Sequence, residues 1–169
     1  AAAGEAYVVD PFAVGSLAPL GAVFADPRVE IVFHDADYDL RLLARDFGLA
    51  VRGLFDTKVA AQFLGESQIG LASLVEKHLG VRLEKKHQRA DWAQRPLPRE
   101  LLAYAAEDVR HLPALRDRLR ERLEAAGRLG WAEEEFRLAE EPRLEAVADG
   151  DPYLRLKGAR DLGPRQLTV

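Results

Sequence analysis

The chain has 169 residues, 24 Lys+Arg against 28 Asp+Glu, a net charge of −4, four His and neither Cys nor Met. That length fits one domain of ordinary size, able to bury a core without staples. The missing cysteines exclude a disulfide framework, a thiolate zinc site and a cysteine nucleophile. No run approaches the roughly 18 apolar residues of a membrane span. The start, AAAGEAYVVD, has no signal-peptide pattern. Charge is unevenly spread. Residues 1–76 carry 5 basic and 11 acidic groups (−6), 77–128 carry 13 and 8 (+5), and 129–169 carry 6 and 9 (−3). A basic middle in an acidic chain can face a polyanion, or it can be a set of solvated helix faces.

In chain order, Tyr7-Val8-Val9 is a short β-rich run ended by Asp10-Pro11. Ser16 can cap a helix through Leu17, Leu20, Val23 and Phe24. Val29–Phe33 is a mostly apolar strand candidate, of the kind covered on both faces. Asp35 or Asp37 can cap the next helix, with Leu40, Leu43 and Phe47 at helical spacing and Gly48 as its stop. Leu54-Phe55 reads as a strand. Asp56 or Thr57 then caps a helix that runs through Phe63 to Gly65. Leu71, Leu74, Val75 and Leu79 mark another helix, stopped by Gly80. Residues 81–98 are irregular. A long helical pattern from Leu101 to Leu123 follows, kinked by Pro113 and closed by Gly127 and Gly130. Trp131–Glu141 reads as a polar, acidic helix, and residues 142–152 read as a linker. The pattern from Arg165 is the first turn of another helix. Strands early and helices later predict an α/β layering.

No phosphate-cradling glycine motif, nucleophile elbow or zinc-type His pair is present. His78 reads as packing, and His87 and His111 as surface groups. The chemistry left is carboxylate chemistry. His34-Asp35-Ala36-Asp37-Tyr38-Asp39-Leu40 places three acids within five residues at a strand end, where α/β folds put ligands. Those acids serve either a helix dipole or a cation. Tyr104 and Asp108, four apart, share a helix face, as a surface pair or as a site that orients water.

Taken in order, these segments stop being anonymous. They are followed or joined by Phe55-Asp56-Thr57, Leu71-Ala72-Ser73-Leu74-Val75, Leu83-Glu84-Lys85, Asp91-Trp92 and Arg95-Pro96-Leu97. The series resembles the ribonuclease D family, tyrosine-type DEDD 3′–5′ exonucleases on a ribonuclease H-like fold, over roughly residues 6–126. Tyr7–Pro11 resembles the third strand of that domain, and Tyr153–Leu167 the lead-in to a helical HRDC domain. The resemblance implies a mixed sheet flanked by helices. It divides the chain into a partial exonuclease domain (1–128), a helix and linker (129–152) and the start of an HRDC-like domain (153–169). It implies that Asp39 and Asp108 are metal ligands and that Tyr104 positions the attacking water. It also implies two divalent cations, Mg²⁺ or Mn²⁺, the hard ions that suit carboxylates. Nucleoside 5′-monophosphates would leave single-stranded RNA 3′ ends, as in tRNA or other stable-RNA processing, in the cytoplasm. DNA is the alternative strand. Lys85, Arg89, Arg95 and Arg99 lie between the motifs, where strand contacts are plausible.

One departure stands out. The family's first motif, Asp-x-Glu on the first strand, has no counterpart in these residues. The expectation is a piece of a longer protein, lacking the N-terminal strands and most of the HRDC domain, and inactive alone. Without a neighbour, Val29–Phe33 would be an apolar sheet edge. The alternative is a degenerate member that binds nucleic acid or protein without cleaving. A third reading is an acidic helical scaffold with no metal site.

Overall fold

The computed structural model describes residues 6–84, 87 and 90–141. Lys85, Arg89, the linker at 142–152 and the HRDC-like tail at 153–169 lie outside them. The described elements run α1 (Ala18–Phe24), β1 (Ile31–Phe33), α2 (Asp37–Phe47), β2 (Leu54–Asp56), α3 (Thr57–Phe63), α4 (Leu71–Leu79), α5 (Arg99–Arg110), α6 (Leu112–Ala125) and α7 (Leu129–Ala139).

β1 and β2 are parallel, with Ile31 opposite Leu54, Val32 opposite Phe55 and Phe33 opposite Asp56. Parallel neighbours need a crossover, and α2 supplies it. The described sheet is this one pair. β2 is buried along its length, whereas β1 is only half-buried, less covered than the two-face reading of Val29–Phe33 expected. α6 lies against the sheet and carries the centre of the core. Its Leu115, Leu119 and Leu123 recur every four residues and are fully buried. α3, α4 and α7 pack around it.

Three local readings change. Tyr7–Val9 forms no strand and stays exposed. The long helical pattern is two helices, parted at His111. Pro113 sits in the first turn of α6, where its missing N–H is not needed. α7 starts before Gly130 and is no solvated appendage. Ala132 and Phe136 enter the core, and the Phe136 ring lies 4.9 Å from that of Phe55. α7 also covers the outer edge of β2, where Glu140 Oε1 accepts the Leu54 N–H at 3.0 Å. No helix among the described residues is long and apolar enough to cross a membrane.

Candidate active site

The carboxyl ends of β1 and β2 meet at one buried carboxylate. Asp56 Oδ1 accepts the N–H groups of Lys58 (2.8 Å) and Val59 (3.3 Å), capping α3 as its sequence position predicts. The same carboxylate accepts the N–H of Asp35 (3.1 Å) and of Ala36 (2.7 Å). The start of α2 is therefore capped from across the sheet. Neither Asp35 nor Asp37 caps it through its own side chain. Asp37 instead pairs with Arg41 at 2.7 Å. Asp35 is held with φ at +66°, a left-handed conformation rare outside glycine. Its carboxylate meets Lys58 Nζ at 2.5 Å.

This turn is flanked by two candidate side chains, His34 and Asp39. His34, at the end of β1, places Nδ1 2.9 Å from Thr57 Oγ1, and that hydroxyl donates to the Phe33 carbonyl at 3.0 Å. Burial pushes the His34 imidazole below its usual value, against the raising charges of Asp56 and Asp35. Asp39 lies in the first turn of α2. Desolvation pushes its carboxyl up although the residue as a whole is exposed, and the Asp35 and Asp56 charges push the same way. On α5, Tyr104 hydrogen-bonds to Asp108 one turn away. Desolvation raises the Asp108 carboxyl, the Tyr104 bond opposes that, and the charge of Glu107 adds to it.

Tyr104 and Asp108 share a cleft of 270 Å³ with His34, Leu71, Ser73 and Glu84. The cleft thus joins the end of β1 to α5. The Tyr104 ring also touches His87 (5.7 Å between centroids) and Trp92 (6.1 Å). His87 is therefore part of the site wall, where the sequence reading had a surface group. His111 is half-buried, with Nε2 2.8 Å from Glu107 Oε1. His78 sits against Glu66, as a packing residue would.

The basic candidates divide. Arg95 forms a two-point pair with Asp10 at 2.7 and 2.8 Å, donates to the Trp92 and Gln94 carbonyls and covers Phe12. It fastens the N-terminal loop to the loop before α5. Arg99 is exposed at the first residue of α5. Asp39 and Asp108 are hard oxygen donors of the type Mg²⁺ or Mn²⁺ prefers. They do not close a site by themselves: among the described residues no group of three or more His, Asp or Glu could hold a metal ion.

The fold is that of a ribonuclease H-like 3′–5′ exonuclease domain. The crystal structure of Escherichia coli RNase D, described as an exoribonuclease involved in structured RNA processing, shares it with a TM-score of 0.75 and 38% identity, over 82% of this chain and 37% of that one. The chain belongs to the 3′–5′ exonuclease family, whose model matches residues 1–124. It is 41% identical to the ribonuclease D of Acidiphilium cryptum over 169 residues, which is 99% of this chain and 43% of that protein. The chain therefore spans less than half the length of that relative. Brucella melitensis NrnC, in a structure bound to pGG, shares the fold with a TM-score of 0.69 and 32% identity, over 81% of this chain and 69% of that one. Exonucleases of this family use divalent metal ions.

Two contributors escaped the sequence reading. His34 stood in the acidic cluster with no role of its own. Asp56 was legible as a helix cap but not as the anchor of the Asp35–Ala36 turn, because the two segments are 20 residues apart.

Proposed function

We propose that this chain forms part of the catalytic centre of a 3′–5′ exoribonuclease that shortens single-stranded RNA 3′ ends and releases nucleoside 5′-monophosphates. The observation that carries it is that Tyr104 and Asp108, one turn apart on α5, line the same cleft at the end of β1. A phenol held by a carboxylate can orient a water for attack on a phosphodiester. Asp39 and Asp108 are the residues that would hold divalent ions, two of them in the full site. When bound, such ions stabilise the negative charge that develops on the phosphate oxygens. Tyr104 would hold the attacking water, and Asp108 would keep the phenol oriented.

Asp39 and Asp108 are two of the four carboxylates that the chemistry of this family calls for, so residues 1–169 by themselves are expected to lack activity. The description of E. coli RNase D as involved in structured RNA processing supports structured RNAs as the natural substrates, and within that class we propose tRNA precursors. Lys85, Arg89 and exposed Arg99 are the candidates for strand contact, while Arg95 is engaged by Asp10.

The test is a 3′-end degradation assay. Full-length protein with Mg²⁺ or Mn²⁺ should release mononucleotides from a 5′-labelled single-stranded RNA, and Asp108→Asn should stop it. Undiminished release by Asp108→Asn would overturn the assignment.

A further inference from the structure

The hydrogen bonds of Thr57 decide which nitrogen of His34 carries its proton. A threonine hydroxyl has one hydrogen. Thr57 Oγ1 gives it to the Phe33 carbonyl, which can only accept. Thr57 Oγ1 must then accept from His34 Nδ1, 2.9 Å away. In a neutral imidazole that leaves Nε2 as a bare acceptor. Thr57 is fully buried, so the arrangement is held from within the core. His34 also lines the cleft that contains Tyr104 and Asp108.

The rest of the cleft narrows what that acceptor can meet. Glu84 and Asp108 contribute carboxylates, and Leu71 and Leu83 contribute apolar wall. An unprotonated imidazole nitrogen cannot donate to a phosphate oxygen, whereas it accepts from O–H donors. Apolar walls suit the flat face of a sugar or base. Building on the exonuclease reading, we infer that His34 Nε2 accepts a hydrogen bond from a ribose hydroxyl of the 3′-terminal nucleotide. His34 is then a specificity-determining residue for the sugar, and the Thr57–Phe33 relay is what keeps Nε2 free of a proton. The terminal ribose offers two such donors, the 2′- and the 3′-hydroxyl.

The test uses full-length protein and three RNA oligonucleotides that differ only in the last sugar: ribose, 2′-deoxyribose or 3′-deoxyribose. Wild type should remove the ribose terminus with a KM roughly three- to tenfold lower than one of the deoxy termini, the range of one hydrogen bond. The deoxy substrate that suffers names the hydroxyl. His34→Asn keeps an N–H for Thr57 and loses the acceptor, so it should raise KM on the ribose terminus to that on the deoxy terminus and erase the preference. His34→Gln restores an acceptor oxygen near the Nε2 position and should recover part of the preference. An equal loss on all three substrates in His34→Asn would overturn the sugar contact while leaving the exonuclease reading intact. Failure of wild type to shorten any of the three would defeat the exonuclease reading itself, and the contact with it. A second readout needs no turnover. The ¹⁵N shifts of His34 in the free protein should show Nδ1 protonated and Nε2 unprotonated, and the reverse pattern would defeat the proposal.

Discussion

Asp56 accepts the backbone N–H of Ala36 at 2.7 Å, and through that bond a strand-to-helix junction in one half of the sheet is held by the junction in the other. The same carboxylate serves Asp35, Lys58 and Val59 and is only 4% exposed. Asp56→Ala would leave buried N–H groups at the starts of two helices without acceptors. The expected loss is about 3–7 kcal/mol, a lost cap of about 1 kcal/mol plus two unsatisfied donors at about 1–3 kcal/mol each. Asp56→Asn keeps one acceptor oxygen and should cost less. Urea unfolding of both variants tests this, and equal stability of wild type and Asp56→Ala would show that the turn is held by something else.

Glu66 supplies a pH dependence of known sign. Its side chain is 3% exposed and meets Lys77 Nζ and Arg122 Nη1, each at 2.5 Å. Burial pushes its carboxyl up, but the bonds and charges of Lys77 and Arg122 outweigh that and hold it at about 2, below the ordinary 4.5. A carboxyl depressed in the folded state stabilises fully above its unfolded value and loses that contribution as pH falls toward the folded one. Wild type should therefore exceed Glu66→Gln in stability above pH 4.5, and the gap should close on acidification toward pH 2. Thermal unfolding across that range reads it. A gap that stays constant contradicts the depressed carboxyl.

Gly53 precedes β2 with φ at +70°, and a Cβ there would lie 2.7 Å from the Val29 carbonyl oxygen. Its own carbonyl accepts the Ile31 N–H at 2.9 Å, so the residue cannot shift without disturbing the sheet. Gly53→Ala combines a disfavoured backbone conformation with a backbone clash. It should destabilise by about 1–3 kcal/mol. Gly65→Ala shares the positive φ but meets nothing within 4 Å, and so should cost less. The difference between the two variants in urea midpoint isolates the clash.

The core position of α7 is tested by contrasting two of its aromatics. Phe136 is 3% exposed against Phe55, whereas Trp131 is 62% exposed. Phe136→Ala should cost about 3–5 kcal/mol by opening a cavity. Trp131→Ala should change stability by less than about 0.5 kcal/mol. Similar effects in both would mean that α7 does not seal the core.

The elements that were legible carry local punctuation. Gly48 and Gly80 ended α2 and α4 in the left-handed conformation their positions suggested, and Asp56 capped α3. What was not legible depends on partners distant in sequence. The acidic look of Trp131–Glu141 hid the buried Ala132 and Phe136, because two core residues suffice to dock a helix whose other faces are wet. Tyr7–Val9 has strand propensity yet forms no strand, because propensity alone does not make one. At the site, Tyr104 and Asp108 were readable because helical spacing puts them on one face. The part played by His34 depends on Thr57, 23 residues away, and no period in the sequence connects the two.

Tyr104 separates the roles at the site. Its hydroxyl bonds to Asp108, and its ring is braced by His87 and Trp92. Tyr104→Phe keeps the ring and its contacts and removes only the hydroxyl, so the site wall and the fold should persist. If the phenol holds the attacking water, its loss removes an interaction made in the reaction rather than in binding. The rate constant kcat of the full-length protein should then fall by about a hundredfold, the scale of a misplaced proton-handling group, with KM nearly unchanged. If the phenol instead serves only to bind RNA, KM should rise and kcat should hold. Single-turnover kinetics on a 5′-labelled RNA distinguish these outcomes. Tyr104→Ala makes a useful contrast, because it also unseats His87 and Trp92 and should impair both parameters.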